Sequence, residues 1–125
     1  MPNLSVDVYG PGHDVTAFTT ADIQQSHFAQ IDGDLTGEGV LTVAPADPGG
    51  RIAGVAKYDG DAGTLIGLAR GNSRIVRVVA GASVTAGDDV EVGPDGTAVP
   101  HTDGVVVGYS VNTATTGEHA FVSLA

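Results

Sequence analysis

The chain is 125 residues long, and its 19 glycines and 6 prolines make one fifth of it turn-forming. Its 35 valine, isoleucine and threonine residues outnumber its 18 leucine, glutamate, glutamine, lysine, arginine and methionine residues, which favours strands over a helical bundle. The absence of cysteine excludes disulfides, thiolate metal sites and a cysteine nucleophile. A net charge of −10 would repel nucleic acid and anionic membranes, so neither is expected as a partner.

The N-terminal residues 1–20 are predicted to form an extended arm and an edge strand. Residues 4–9 begin with alternating apolar and polar side chains and end at the turn Gly10-Pro11-Gly12. Residues 15–20 follow as a second short β segment. Because residues 1–16 carry only a handful of large apolar side chains, this arm cannot form a core of its own.

Residues 22–31 fit two local structures. Ile23, His27 and Ile31 recur every fourth residue, which suits a short helix capped by Thr20 or Asp22. Alternatively, residues 24–26 form a turn that leads into a strand over 28–31. We favour the strand.

The rest of the chain repeats one scheme, in which short β-branched runs alternate with Gly, Pro and Asp turns. Strands are predicted over residues 40–44, 51–57, 64–69, 74–79, 90–92, 97–99, 105–111 and 119–124. Short strands every eight to twelve residues are typical of sandwiches and barrels. The predicted fold is therefore all-β, a compact single-domain β-barrel or sandwich over residues 21–125 with an extended N-terminal arm.

No pattern of catalytic or metal-binding residues stands out. The run Asp32-Gly33-Asp34 starts like a calcium loop but has Val43 where the bidentate glutamate belongs. The four histidines are widely spaced, and no nucleophile-elbow motif occurs. Asp88, Asp89 and Glu91 are expected to form a solvated acidic rim. The sequence thus predicts no enzyme, no cofactor and no metal site.

The positive charge is confined to one part of the chain. All lysine and arginine residues lie within 27 consecutive positions, namely Arg51, Lys57, Arg70, Arg74 and Arg77. Ion pairing with the protein's own acidic surface explains such a cluster, and so does docking to an acidic partner protein. The sequence leaves both interpretations open.

Several segments, in order along the chain, carry a resemblance to a known family. They include the opening residues 4–16, the segment 28–33, the run Gly54-Val55-Ala56-Lys57-Tyr58-Asp59, and Val84-Thr85-Ala86-Gly87-Asp88-Asp89-Val90-Glu91-Val92 followed by residues 95–99 and 105–109. Together they resemble the capsid decoration, or head-cement, proteins of tailed bacteriophages.

This resemblance implies a structural protein on the outer surface of the virion's capsid. It further implies a homotrimer clamped over junctions between subunits of the major capsid protein, with no catalytic residues. Two sets of side chains are candidate partner contacts. They are the arm residues Leu4, Val6, Val8 and Tyr9, which could add as a strand to a neighbour, and the five bases Arg51, Lys57, Arg70, Arg74 and Arg77.

Two alternative functions belong to other classes. A carbohydrate-binding or tail-associated β module of the virion would be non-catalytic, but tryptophan is absent and Tyr9, Tyr58 and Tyr109 are scattered. A small hydrolase would need aspartate and histidine to converge in one pocket.

Overall fold

The computed structural model describes residues 14–125, so the arm contacts Leu4, Val6, Val8 and Tyr9 lie outside the described residues. Its first half is a closed barrel with the strand order β1-β3-β2-β4-β5. The strands are β1 (Asp14–Thr19), β2 (Phe28–Ile31), β3 (Leu41–Pro45), β4 (Gly54–Ala56) and β5 (Thr64–Ala69). β1 is hydrogen-bonded on both sides, parallel to β3 and antiparallel to β5.

The second half is a five-stranded antiparallel sheet with the order β6-β10-β9-β7-β8. The strands are β6 (Ile75–Val79), β7 (Asp89–Val92), β8 (Ala98–Pro100), β9 (Gly108–Ser110) and β10 (His119–Leu124). A single 3-10 turn, Pro94–Gly96, joins β7 to β8. The predicted all-β fold is confirmed. No helix among residues 14–125 has the length and hydropathy to cross a membrane.

The ambiguous segment before residue 32 is a strand, as favoured. Phe28 and Ala29 are both fully buried, whereas Ile31 is 54% exposed. The fourth-residue spacing of Ile23, His27 and Ile31 therefore does not mark one buried helical face. Ile23 instead forms an isolated antiparallel bridge with Gly60.

The strand predicted over residues 105–111 is wrong in extent, because β9 covers only Gly108–Ser110. Val105 leaves the sheet and donates its N–H to the carbonyl of Gly49 at 3.0 Å. At Gly108 the chain lies so close to β10 that a Cβ would come within 2.3 Å of the Ser123 carbonyl oxygen. Gly108 and Ser110 are buried on the inner face of this strand, and Tyr109 between them is 49% exposed.

Two apolar clusters form the interior. The first fills the barrel and includes Val43, Ile66 and Leu68. The second lies under the five-stranded sheet and contains Val78, Val90, Val92, Val122 and Leu124 together with Phe28, Val55 and Ala69 from barrel strands. The barrel thus supplies part of the second sheet's core.

Candidate docking surface

Two of the five bases, Lys57 and Arg74, form ion pairs with the same carboxylate, that of Asp14. Asp14 opens β1, Lys57 follows β4 and Arg74 precedes β6. Arg74 Nη2 lies 2.5 Å from Asp14 Oδ1, and Lys57 Nζ contacts Asp14 Oδ2. The hydrogen bond from Lys57, followed by that from Arg74, lowers the pKa of Asp14. One carboxylate therefore binds two of the five bases, which is the internal pairing considered from the sequence.

The other three bases are differently placed. The guanidinium carbon of Arg77 lies 5.3 Å from the centre of the Phe121 ring, within cation–π range. Arg51 is exposed and Arg70 is half-buried. Within residues 14–125, none of Arg51, Arg70 and Arg77 forms an ion pair. The structure thus divides the cluster into two bases that share one carboxylate and three that form no ion pair within the described residues.

Arg77 belongs to an exposed face of the second sheet, here called the outer face and made up of Ile75, Arg77, Tyr109, Val111 and Phe121. Register places Arg77 opposite Phe121, and places Ile75 and Tyr109 on either side of Ser123. Side chains opposite each other in a sheet lie on the same face. Ile75 is 56% exposed, Tyr109 49% and Val111 42%.

Of this outer face, sequence reasoning named only Arg77 as a partner contact. A signal was present, because β6 reads Ile75-Val76-Arg77-Val78-Val79 and carries apolar residues on both of its faces. One face, with Val78, enters the core, while the other is left without a covering layer among the described residues. The outer face is formed by the pairing of β6 with β10, whose partner residues lie forty or more positions apart in the chain.

The predicted acidic rim is wrong for Glu91, which is only 8% exposed. Its Oε1 accepts N–H bonds from Thr102 at 2.6 Å and from Gly104 at 3.0 Å. These backbone bonds lower the pKa of Glu91 because they stabilise the carboxylate. Gly104 is needed here, since a Cβ would stand 2.6 Å from the Cα of Gly49. Glu91 thus fastens the 101–106 loop over β7.

A cleft of about 700 Å³ is lined by residues 22–24 and 59–61 together with His27, Pro45, Asp95 and Thr97. Two of its four aspartates bind backbone through their carboxylates: Asp22 accepts from Ala62 N–H at 2.8 Å, and Asp59 from Gln25 N–H at 2.9 Å. His27 Nδ1 lies 2.8 Å from the Gln25 carbonyl, and no hydrogen bond to a carboxylate is found for it in the described part of the chain. Asp22 and Asp59 therefore hold loops in place.

Among residues 14–125, no three His, Asp or Glu side chains converge on a point that could hold a metal ion. The acidic run at residues 32–34 serves the barrel instead: Asp32 Oδ2 accepts the Thr20 hydroxyl at 2.5 Å, and the Asp34 carbonyl accepts that of Thr42 at 3.0 Å.

Comparison with solved structures finds the N base of the head fiber gp8.5 of bacteriophage phi29, with a TM-score of 0.75 and 25% sequence identity. The match covers 90% of this chain and 93% of that chain, so it includes both the barrel and the second sheet. No protein-family model matches the chain, and no match is found among curated proteins. The structural likeness confirms the resemblance to phage head decoration proteins and supports a structural protein of the bacteriophage virion.

Proposed function

We propose that the chain is a non-enzymatic decoration protein that binds the outer surface of a phage head and stabilises the shell. The observation that carries this proposal is the likeness, over nine-tenths of both chains, to a head fiber base. A protein that binds only the assembled shell stabilises it by mass action, so the role requires no chemistry. The proposed partners are the major capsid protein and two further copies of the chain in a homotrimer.

The charge distribution supports a localised contact with the capsid. The chain carries 15 acidic residues, but its bases fall within residues 51–77. Within the described residues, Arg51, Arg70 and Arg77 have no carboxylate partner, so they are available for an acidic protein surface. We propose these bases, with Lys57 and Arg74 beside them, as one half of the contact surface.

The other half of the proposed contact surface consists of Leu4, Val6, Val8 and Tyr9. Their alternation suits an added strand, in which backbone hydrogen bonds provide affinity and every second side chain fills a pocket. Residues that follow the arm enter the barrel at Asp14, so any shortening of the arm must leave β1 (Asp14–Thr19) complete.

The proposal is tested by mixing the purified protein with shells of its phage assembled without it and pelleting them. We expect co-sedimentation, a higher melting temperature of the decorated shells, and weaker binding at high salt. Full-length protein with Leu4, Val6 and Val8 changed to serine should bind less, whereas the matched variant Leu65→Ser, exposed on the barrel, should bind normally. Light scattering should report a trimer. Shells that neither bind the wild type nor gain thermal stability would contradict the proposal.

A further inference from the structure

Strand β6 lies at one edge of the second sheet and pairs only with β10 among the described strands. Leu124 N–H donates to the Arg74 carbonyl at 2.9 Å. Because ladder bonds of an antiparallel pair recur at every second residue, Val76 and Val78 also bond to β10. The backbone N–H and C=O groups of Ile75 and Arg77 consequently point away from the sheet.

These outward groups have no backbone partner among residues 14–125. The next outward group is occupied, since Val79 N–H donates to the Ser26 carbonyl at 2.9 Å. The open part of the edge therefore runs from Ile75 to Arg77. An unpaired edge of this kind is a template for another strand unless it is covered or blocked.

The opposite edge of the same sheet is protected. β8 is only three residues long and ends in Pro100, which has no N–H to offer. The carbonyl of Ala98 already accepts the N–H of Gly81 at 2.9 Å. The β8 edge is therefore short and largely blocked, whereas the β6 edge presents the outward groups of Ile75 and Arg77 together with an exposed apolar face.

The side chains beside the open edge indicate the chemistry of an occupant. Ile75 offers an apolar contact at 56% exposure, and Arg77 offers a cation that is held over the Phe121 ring. Tyr109, on the same outer face, extends the apolar surface inward from the edge. A favourable added strand would place an apolar side chain beside Ile75 and an acidic one beside Arg77. Across neighbouring strands, apolar side chains pack together and opposite charges attract.

We propose that the edge of β6 accepts an extended segment of a partner protein in which an apolar and an acidic residue lie two positions apart, on the same face, so that the segment continues the second sheet. This inference rests on the proposed function, with the capsid protein as the partner. The charge distribution supports an acidic residue in this segment. All lysines and arginines lie within residues 51–77, and the last of them, Arg77, lies on β6.

The test uses full-length variants in the shell-binding assay. Ile75→Asp places a charge at the edge, and Arg77→Pro removes an outward N–H without removing a bond to β10. We expect each to bind shells about tenfold more weakly. Leu65→Asp, at a barrel position that is 63% exposed, is the matched control and should lose less. Circular dichroism and melting temperature establish that each variant is folded.

Amide hydrogen exchange reports the strand directly. In the free protein Val76 and Val78 should exchange slowly and Ile75 and Arg77 rapidly, and shell binding should slow the exchange of the latter two. If wild type binds while Ile75→Asp and Arg77→Pro bind equally well, the inference is overturned and the proposed function stands. If wild type does not bind shells, both fail. Slow exchange of Ile75 and Arg77 in the free protein, lost on removing residues 2–13 or on dilution, would assign the edge to the chain itself and overturn the partner strand.

Discussion

The barrel and the second sheet each bury an apolar interior, but the barrel is closed whereas the second sheet has two open edges. In the barrel each of the five strands has a neighbour on both sides, so closure uses the backbone groups that an edge would expose. The second sheet stays open, with β6 and β8 at its two ends. A closed barrel suits a rigid support, whereas an open sheet keeps surface that can be extended by a partner.

The two regions are nevertheless joined through a shared interior. Phe28 lies on barrel strand β2, yet its fully buried ring belongs to the cluster beneath the second sheet. Val55 and Ala69, from β4 and β5, enter the same cluster. The barrel is therefore one wall of the second core, and neither region should unfold independently.

The largest effect is expected from removing this connection. Phe28→Ala should lower the free energy of unfolding by about 3–5 kcal/mol, because it deletes a buried ring and leaves a cavity between the two regions. Urea denaturation followed by circular dichroism measures the loss. Ile31→Ala, on the same strand but 54% exposed, is the control and should change stability by less than about 1 kcal/mol. Equal losses for the two variants would refute the shared core.

A second prediction concerns the half of the open sheet that lies away from β6, where Glu91 fastens a loop over β7. Glu91→Gln should weaken the hold on residues 101–106, seen as faster amide exchange there. The pKa of Glu91 is lowered in the folded state from its usual value of 4.5. Its contribution is therefore complete above pH 4.5 and is lost as the pH falls through the lower folded value.

The measurement is the stability of wild type and Glu91→Gln across acid pH. The difference between them should be greatest at neutral pH and shrink below pH 4.5, since the amide carries no charge to lose. Glu38→Gln, in an exposed turn before β3, is the matched control and should track the wild type. A constant difference between pH 7 and pH 2 would show that the charge of Glu91 does not hold the loop.

Local sequence patterns predicted most of the strands. The features that they did not predict depend on contacts between residues far apart in the chain. The run 64–69 coincides with β5 (Thr64–Ala69), because β-branched and apolar residues between Gly and Asp turns report backbone conformation locally. No local signal places Phe28 in the second core. The burial of Glu91 depends on a loop ten residues downstream, and the outer face around Arg77 depends on the register with β10. For this reason, the expectations that Glu91 is solvated and that a strand covers residues 105–111 are wrong.

The smallest effect concerns the polar link between the two regions. Asp14, at the start of the barrel, pairs with Arg74, which leads into the second sheet, and with Lys57. The side chains of Asp14 and Lys57 remain 44% and 37% exposed, so solvent screens the pairs. Asp14→Asn should therefore cost about 1 kcal/mol or less, and the loss should diminish at high salt.

Its pH dependence gives a second check. Because the folded pKa of Asp14 lies below its usual 3.8, the ion pairs contribute above pH 3.8 and fade as the pH falls through the lower value. Wild type and Asp14→Asn should thus converge in acid, while Asp34→Asn, an exposed control, should match the wild type throughout. If Asp14→Asn were as destabilising as Phe28→Ala and insensitive to salt, charge rather than apolar packing would be the main connection between barrel and sheet.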